Sequence, residues 1–240
     1  MSQVLTDARL FVAGHDLSGQ MNALALDYSA DMLDATTFGA TTRINAAGIK
    51  SVRGQHEGLW DSSTATAPDP VLFSRVGTAD VPVVIAPVNG DAGAVAYLLR
   101  AIYAEYTVGG AVGDLLSFSV SMEGAGGQPL VRGRLLHNAS AAGNVTGTAF
   151  QLGAVGAGQH AYAALHVMSG TGALTVKVQS ASGEAFTSPN DRITFTVVAD
   201  GTAVASEWAT RVAGAITDTW WRIVATNPNT RNFAVAAGIQ

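Results

Sequence analysis

Residues Asp16 to Asp61 read DLSGQMNALALDYSADMLDATTFGATTRINAAGIKSVRGQHEGLWD. The segment opens as a strand, because Leu24, Leu26 and Tyr28 alternate with Ala23, Ala25 and Asp27. A turn-rich stretch follows from Ser29 to Ala47, with Thr36-Thr37-Phe38-Gly39 and the basic Arg43 inside it. A second strand runs from Lys50 to Trp60, where Val52, Gly54, His56, Gly58 and Trp60 share one parity. Two strands joined by so long an extension are uncommon in a self-contained domain. Such an extension either covers a site or reaches a neighbouring molecule.

The rest of the chain is patterned as strands and turns. Residues 1–15 read as an extended apolar arm that either joins its own sheet or augments a neighbour's edge. Ser62 to Pro70 is a loop, and Pro70 is placed to open a short helix over Val71 to Val76, with Asp69 at its positive end and Gly77 after it. Val81 to Pro87 is a strand whose two prolines suggest an edge or a bulge. Ala94 to Thr107 fits both a helix and an alternating strand, and the strand is the reading taken. From Leu115 to Glu123 the alternation is clear: Leu116, Phe118, Val120 and Met122 face one way, Ser117, Ser119, Ser121 and Glu123 the other. Leu130 to Leu136 returns beside it, and Asn138 to Gly147 is small, polar and glycine-bearing, as a domain boundary is. Beyond it, Ala161–Met168, Leu174–Ser180, Ile193–Val198, Trp208–Val212, Trp220–Ala225 and Phe233–Ile239 are short strands separated by turn clusters, the spacing of a β-sandwich or jelly roll. The fold class is therefore all-β with one short helix, in two units, 1–140 and 141–240.

Composition narrows the function. Of 240 residues 48% are hydrophobic and only 13% charged, so the surface is poor in charge. That suits a subunit covered by copies of itself, and equally an alanine-rich protein from a GC-rich genome. No cysteine is present, which excludes a disulfide framework, a thiolate metal site and a cysteine nucleophile. The apolar runs are too short for a membrane helix, and Met1 to Phe11 lacks the basic start and apolar centre of a signal peptide. The net charge of −5 argues against a dedicated nucleic-acid binder. Residues 1–140 carry 13 acidic and 8 basic side chains against 5 and 5 in the remainder, so all of the net acidity lies in the first half.

Catalytic patterns are missing from the sequence. His15, His56, His137, His160 and His166 do not fall at metal-ligand spacings, and the parity of His56 makes it a packed or interfacial residue. Asp31 and Asp34 lie in a turn, where solvated carboxylates are ordinary. Trp220 and Trp221 point to opposite faces of a strand, so one is core and the other is open to a neighbour or to a sugar ring.

Asp16-Leu17-Ser18-Gly19, Asp31-Met32-Leu33-Asp34, Thr36 to Gly39, Gly48 to Trp60, Val112-Gly113-Asp114 and Val131-Arg132-Gly133 together resemble the siphophage major tail tube proteins, over residues 1–140. The second half resembles the jelly-roll modules carried by many phage virion proteins. The resemblance implies a non-enzymatic, cofactor-free virion protein: a tail-tube-type β-sandwich or barrel with a second β-sandwich on its exterior. Its copies would form rings, usually of six, whose inner strands close into one barrel; three would suffice if the second half were itself a tube fold. The implied partners are sister copies, the tape measure protein in the lumen, and the tail terminator and distal tail proteins at the ends. DNA passes without specific binding, no membrane is involved, and assembly takes place in the host cytoplasm. On this resemblance Asp34, Thr36, Thr37, Phe38 and Arg43 belong to a ring-stacking loop, and Leu24, Leu26, His56, Trp60, Ser117, Ser119 and Ser121 to the barrel or interface strands. Two other readings share parts of the pattern: a carbohydrate-binding surface module in the second half, and the inner tube of a contractile injection system.

Overall fold

The computed structural model describes residues 5, 7–226 and 229–240. The chain runs through β1 (Arg9–Val12), β2 (His15–Asp16), a 3-10 turn at Ser18–Gln20, β3 (Met21–Asp34), β4 (Asn45–Leu59), α1 (Pro68–Phe73), β5 (Val81–Ala86), β6 (Val95–Gly109), β7 (Ser117–Gly124) and β8 (Val131–Ala142). It continues with β9 (Val145–Thr146), β10 (Phe150–Gln151), β11 (His160–Gly170), β12 (Thr175–Ala181), β13 (Asn190–Thr194), β14 (Ala205–Trp208), β15 (Val212–Ala213), β16 (Trp220–Thr226) and β17 (Thr230–Ile239). The fold is all-β with one short helix.

Among the described residues the strands form two antiparallel sheets. The larger runs in the order β14-β11-β17-β8-β6-β5-β1-β2; β7, β4 and β3 continue outward from the far half of β6, and β15 sits on β11. The smaller is β10-β16-β12-β13, with β9 also on β16. Period-two burial sorts the side chains into three apolar layers. Val81, Val83 and Ile85 of β5 face a core closed by Leu17, Val71, Leu72, Phe118, Val120 and Met122. The alternate residues Val84 and Ala86 face Phe11, Leu98, Tyr162, Ala164, Ala234 and Ala236. In turn, Ala163, Leu165, Phe233 and Val235 look the opposite way, onto Val176, Val178, Trp221 and Ile223 of the smaller sheet. Trp221 is core and Trp220 half-buried, as the two faces of one strand require.

Several elements differ from the expectation. The helix begins at Pro68 rather than Pro70 and ends at Phe73, so that Pro68 takes the first position, where a missing N–H costs nothing, and buries with Val71 and Leu72. β5 is not an edge: it pairs with β1 on one side and β6 on the other. Pro82 is tolerated because it lies at the strand's end, beyond the last registered pair with β1. The described part of the N-terminal arm pairs within the chain's own sheet, while residues 1–4 and 6 lie outside the described residues. Asn138 to Ala142 is not loop but the end of β8, held by β17 in register from Gly238↔Gly133 to Thr230↔Ala142. Trp208 ends β14 rather than starting a strand, and Asn190–Thr194 precedes the span expected at Ile193–Val198.

Candidate assembly interface

The stretch from Asp16 to Asp61 forms a long hairpin. β3 and β4 pair from Met21↔Gly58 to Asp34↔Asn45, with bulges near Ala23 and Ala30. Most of the expected turn-rich segment is therefore strand, and only residues 35–44 are loop. β4 then pairs with β7 over Arg53↔Glu123 to Leu59↔Ser117, and β7 with β6 over Ala101↔Gly124 to Gly109↔Ser117. The outer half of the hairpin extends past the end of β7 as a finger.

Cross-strand rows fix the two faces of this four-stranded sheet. Leu24, His56, Val120 and Tyr106 form one inward row; Leu26, Gly54, Met122 and Tyr103 form the next. α1 covers this face. Trp60 Nε1 and the Tyr106 hydroxyl both donate to Asp69 Oδ1, at 3.0 and 2.7 Å, and clasp the helix to the sheet. Trp60 is thus spent on its own helix. His56 is fully buried against Tyr103 and Phe118, and neither ring nitrogen has a hydrogen-bond partner among the described residues. Burial lowers its pKa to about 4, so the ring is neutral at pH 7.

The opposite face is open and polar. Its rows are Ala23, Glu57, Ser119 and Thr107; Ala25, Gln55, Ser121 and Glu105; and Asp27, Arg53 and Glu123. Ser117 ends the same face. Four carboxylates and one guanidinium share this surface, with Arg53 Nε 3.5 Å from Glu123. One face solvated and the other packed is ordinary for an antiparallel sheet.

Both flanks of the sheet are open. The outer margin of β3 has no strand partner among the described residues. The far half of β6, past Tyr103, pairs with β7 on one side only, because β5 ends opposite Ala101. Long unpaired margins are sites for strand addition. The sequence located the first of these strands but not the second margin, since the exposed half of β6 reads no differently from its buried half.

At the fingertip Asp34 accepts from Thr36 N at 3.0 Å and Arg43 Nε at 3.1 Å, and Thr36 Oγ1 accepts from Ile44 N at 3.0 Å. The Thr36 hydrogen bonds, more than Arg43, hold the Asp34 carboxyl below its ordinary pKa. These polar residues shape the loop. Thr37 is left exposed and Phe38 fully exposed, and Met32, Leu33, Ile44 and Ile49 add exposed apolar surface along the finger. Among the described residues no group of three or more His, Asp or Glu could hold a metal ion.

No protein-family model and no curated protein matches this chain. A chain from the virion of a native gene transfer agent particle is similar over 54% of this chain and 98% of its own, at 12% identity and a TM-score of 0.44. One from the tail of an empty gene transfer agent particle with C6 symmetry covers 51% and 92%, at 15% identity and a TM-score of 0.40. The SPP1 Dit (gp 19.1) protein, from a hub adsorption apparatus of phages infecting Gram-positive bacteria, spans 98% of this chain and 100% of its own, at 11% identity and a TM-score of 0.38. At this level of likeness none of the three assigns a function to this chain.

Proposed function

We propose that this chain is a structural subunit of a phage tail whose copies join side by side into rings, the rings stacking into a hollow tube through which DNA is delivered. The observation that carries the reading is the pair of open margins flanking the β3-β4-β7-β6 sheet. Each neighbouring pair in that sheet is antiparallel. Its outer strands, β3 and β6, therefore run in opposite directions. Rotating a copy about an axis along the strands places its β3 beside the β6 of its neighbour, again antiparallel. Repeating that heterologous contact closes a ring and covers the outer margins of β3 and β6.

The two faces support one orientation. α1 and the remainder of the chain occupy the apolar side, so the polar side faces the lumen. Four carboxylates against one arginine per copy repel phosphate, as a conduit that must not retain DNA requires. Six copies contribute about 24 strands, more than the 16–18 that leave an open aqueous channel; three contribute about 12, close to barrels that side chains fill. The smaller sheet and its neighbours then decorate the exterior. The tape measure protein occupies the lumen before DNA does, and the tail terminator and distal tail proteins cap the ends.

Negative-stain microscopy and mass photometry of the purified full-length protein test this. Annuli or hollow filaments built on about six copies are the expected result. A protein that stays a single copy at high concentration overturns it.

A further inference from the structure

β4 is open along part of its length too. Its pairing with β7 stops at Arg53↔Glu123, while its pairing with β3 continues out to Asn45. Residues 45–52 therefore have a free margin on the β7 side as well. Beneath that margin lies a cleft of about 460 Å³, bounded by Ile49, Lys50 and Arg53 of β4, Glu123 and Gly124 at the end of β7, Pro129 in the β7–β8 turn, and Gln240. Arg53 is paired with Glu123, but among the described residues Lys50 has only the Tyr28 ring, 5.9 Å away. The cleft thus adjoins an open strand margin and, among the described residues, one cation without an ion pair.

A protruding turn lies at the opposite end of the same sheet, closed by Asp114 N donating to Ala111 O at 3.0 Å. The β6–β7 turn, residues 109–116 (GGAVGDLL), is fixed at its base by Trp60 N donating to Leu116 O at 2.9 Å. Its tip is bare: Val112 is fully exposed and Leu115 is 75% exposed. Asp114 is the only charged residue between Glu105 and Glu123, and it has no ion pair among the described residues. An exposed apolar tip with one carboxylate thus complements an open strand margin with one ammonium. The two lie about 25–30 Å apart along β4, at seven to ten residues of strand rise, so a single copy cannot join them.

We infer that the β6–β7 turn of each copy inserts into the β4 cleft of a copy in the next ring, seating Val112 and Leu115 against the open margin of residues 45–52 and setting Asp114 against Lys50. This rests on the tube reading above and adds to it the receiving surface for ring stacking. Rings stacked in one polarity bring the turn end of every copy to the finger end of the next. The contact is an apolar tip in an open groove with one charge pair to fix its position.

Charge exchange tests it. Asp114→Lys and Lys50→Asp, each alone, place like charges together once per copy around the ring and should cut the mass in tubes at least tenfold, leaving rings intact. The double variant Lys50→Asp/Asp114→Lys should restore tubes. Single variants that stack at the wild-type yield, or a double no better than the singles, overturn the inference while leaving the rings in place. Wild-type protein that never forms rings instead removes the reading beneath it. Should the single variants misfold, Lys50→Cys/Asp114→Cys decides the matter, because the chain has no other cysteine. Oxidised tubes should then give a covalent ladder on a denaturing gel, and tubes without a ladder overturn the contact.

Discussion

His56 carries a cost that a hydrophobic residue at the same place would not. It lies in the row Leu24, His56, Val120, Tyr106, fully buried, with both ring nitrogens unpartnered among the described residues. The alternation of Val52, Gly54, His56 and Gly58 reveals this face in the sequence. It does not reveal why two of the four are glycines. A Cβ at Gly58 would come within 2.2 Å of Gln20 O, backbone that leaves no room for a side chain, whereas one at Gly54 would meet the flexible end of Met122 at 2.4 Å and displace it. Burial lowers the His56 pKa from 6.5 to about 4, and burial together with His15 lowers that of His166 to about 3. Both rings are more easily protonated in the unfolded chain. Their contribution is present above pH 6.5 and is lost as the pH falls from 6.5 toward 4 for His56 and toward 3 for His166; for His56 it amounts to about 3 kcal/mol. Replacing His56 with Leu should keep the subunit folded at pH 7 and reduce the fall in its urea midpoint between pH 7 and pH 5. An identical fall in both proteins would clear His56 of the effect.

The finger is the element that local sequence describes least well. Ser29 to Asp34 and Asn45 to Gly48 hold Ala, Asp, Asn and Gly, residues of weak strand preference. They are strands because each has the other to pair with, reinforced by Ser29 Oγ and Ser51 Oγ at 3.1 Å. Pairing partners are set by register, which a local window does not contain. Leu115 to Glu123 was legible for the opposite reason: one of its faces is packed and the other wet, so its own alternation identifies it. Leu116 is the exception, exposed because the strand begins at Ser117. The exposed apolar row of the finger, with Ile49 at 80% and Phe38 fully exposed, contributes nothing to the subunit's own core. Deleting residues 36–45 should therefore leave a subunit with near-wild-type urea stability that still forms rings but no longer stacks them. Undiminished tubes would take the finger out of ring stacking; unfolded protein would show that the hairpin serves the fold.

Across the whole molecule the two halves share more than a linker. Composition and turns suggested a boundary near residue 140, and β8 does end at Ala142, with Gly143 at a positive φ in open space. Yet β17, from the far end of the chain, pairs with β8 along most of its length, and β8 pairs with β6. The middle apolar layer draws Phe11, Val84 and Leu98 from the first half and Tyr162, Ala164, Ala234 and Ala236 from the second. Such long-range pairing is invisible to a reading that takes the chain in order, because strands distant in sequence carry no mark of their neighbour. A protease site inserted between Gly143 and Asn144 makes the consequence measurable. The turn has room for it, so the uncut protein should fold normally. After cleavage the fragments 1–143 and 144–240 should remain one particle on gel filtration, because separation would expose the middle layer and one full margin of β8 at once. Denaturant should part them in the same transition that unfolds the whole chain. Fragments that separate in native buffer, each still folded, would establish two independent domains.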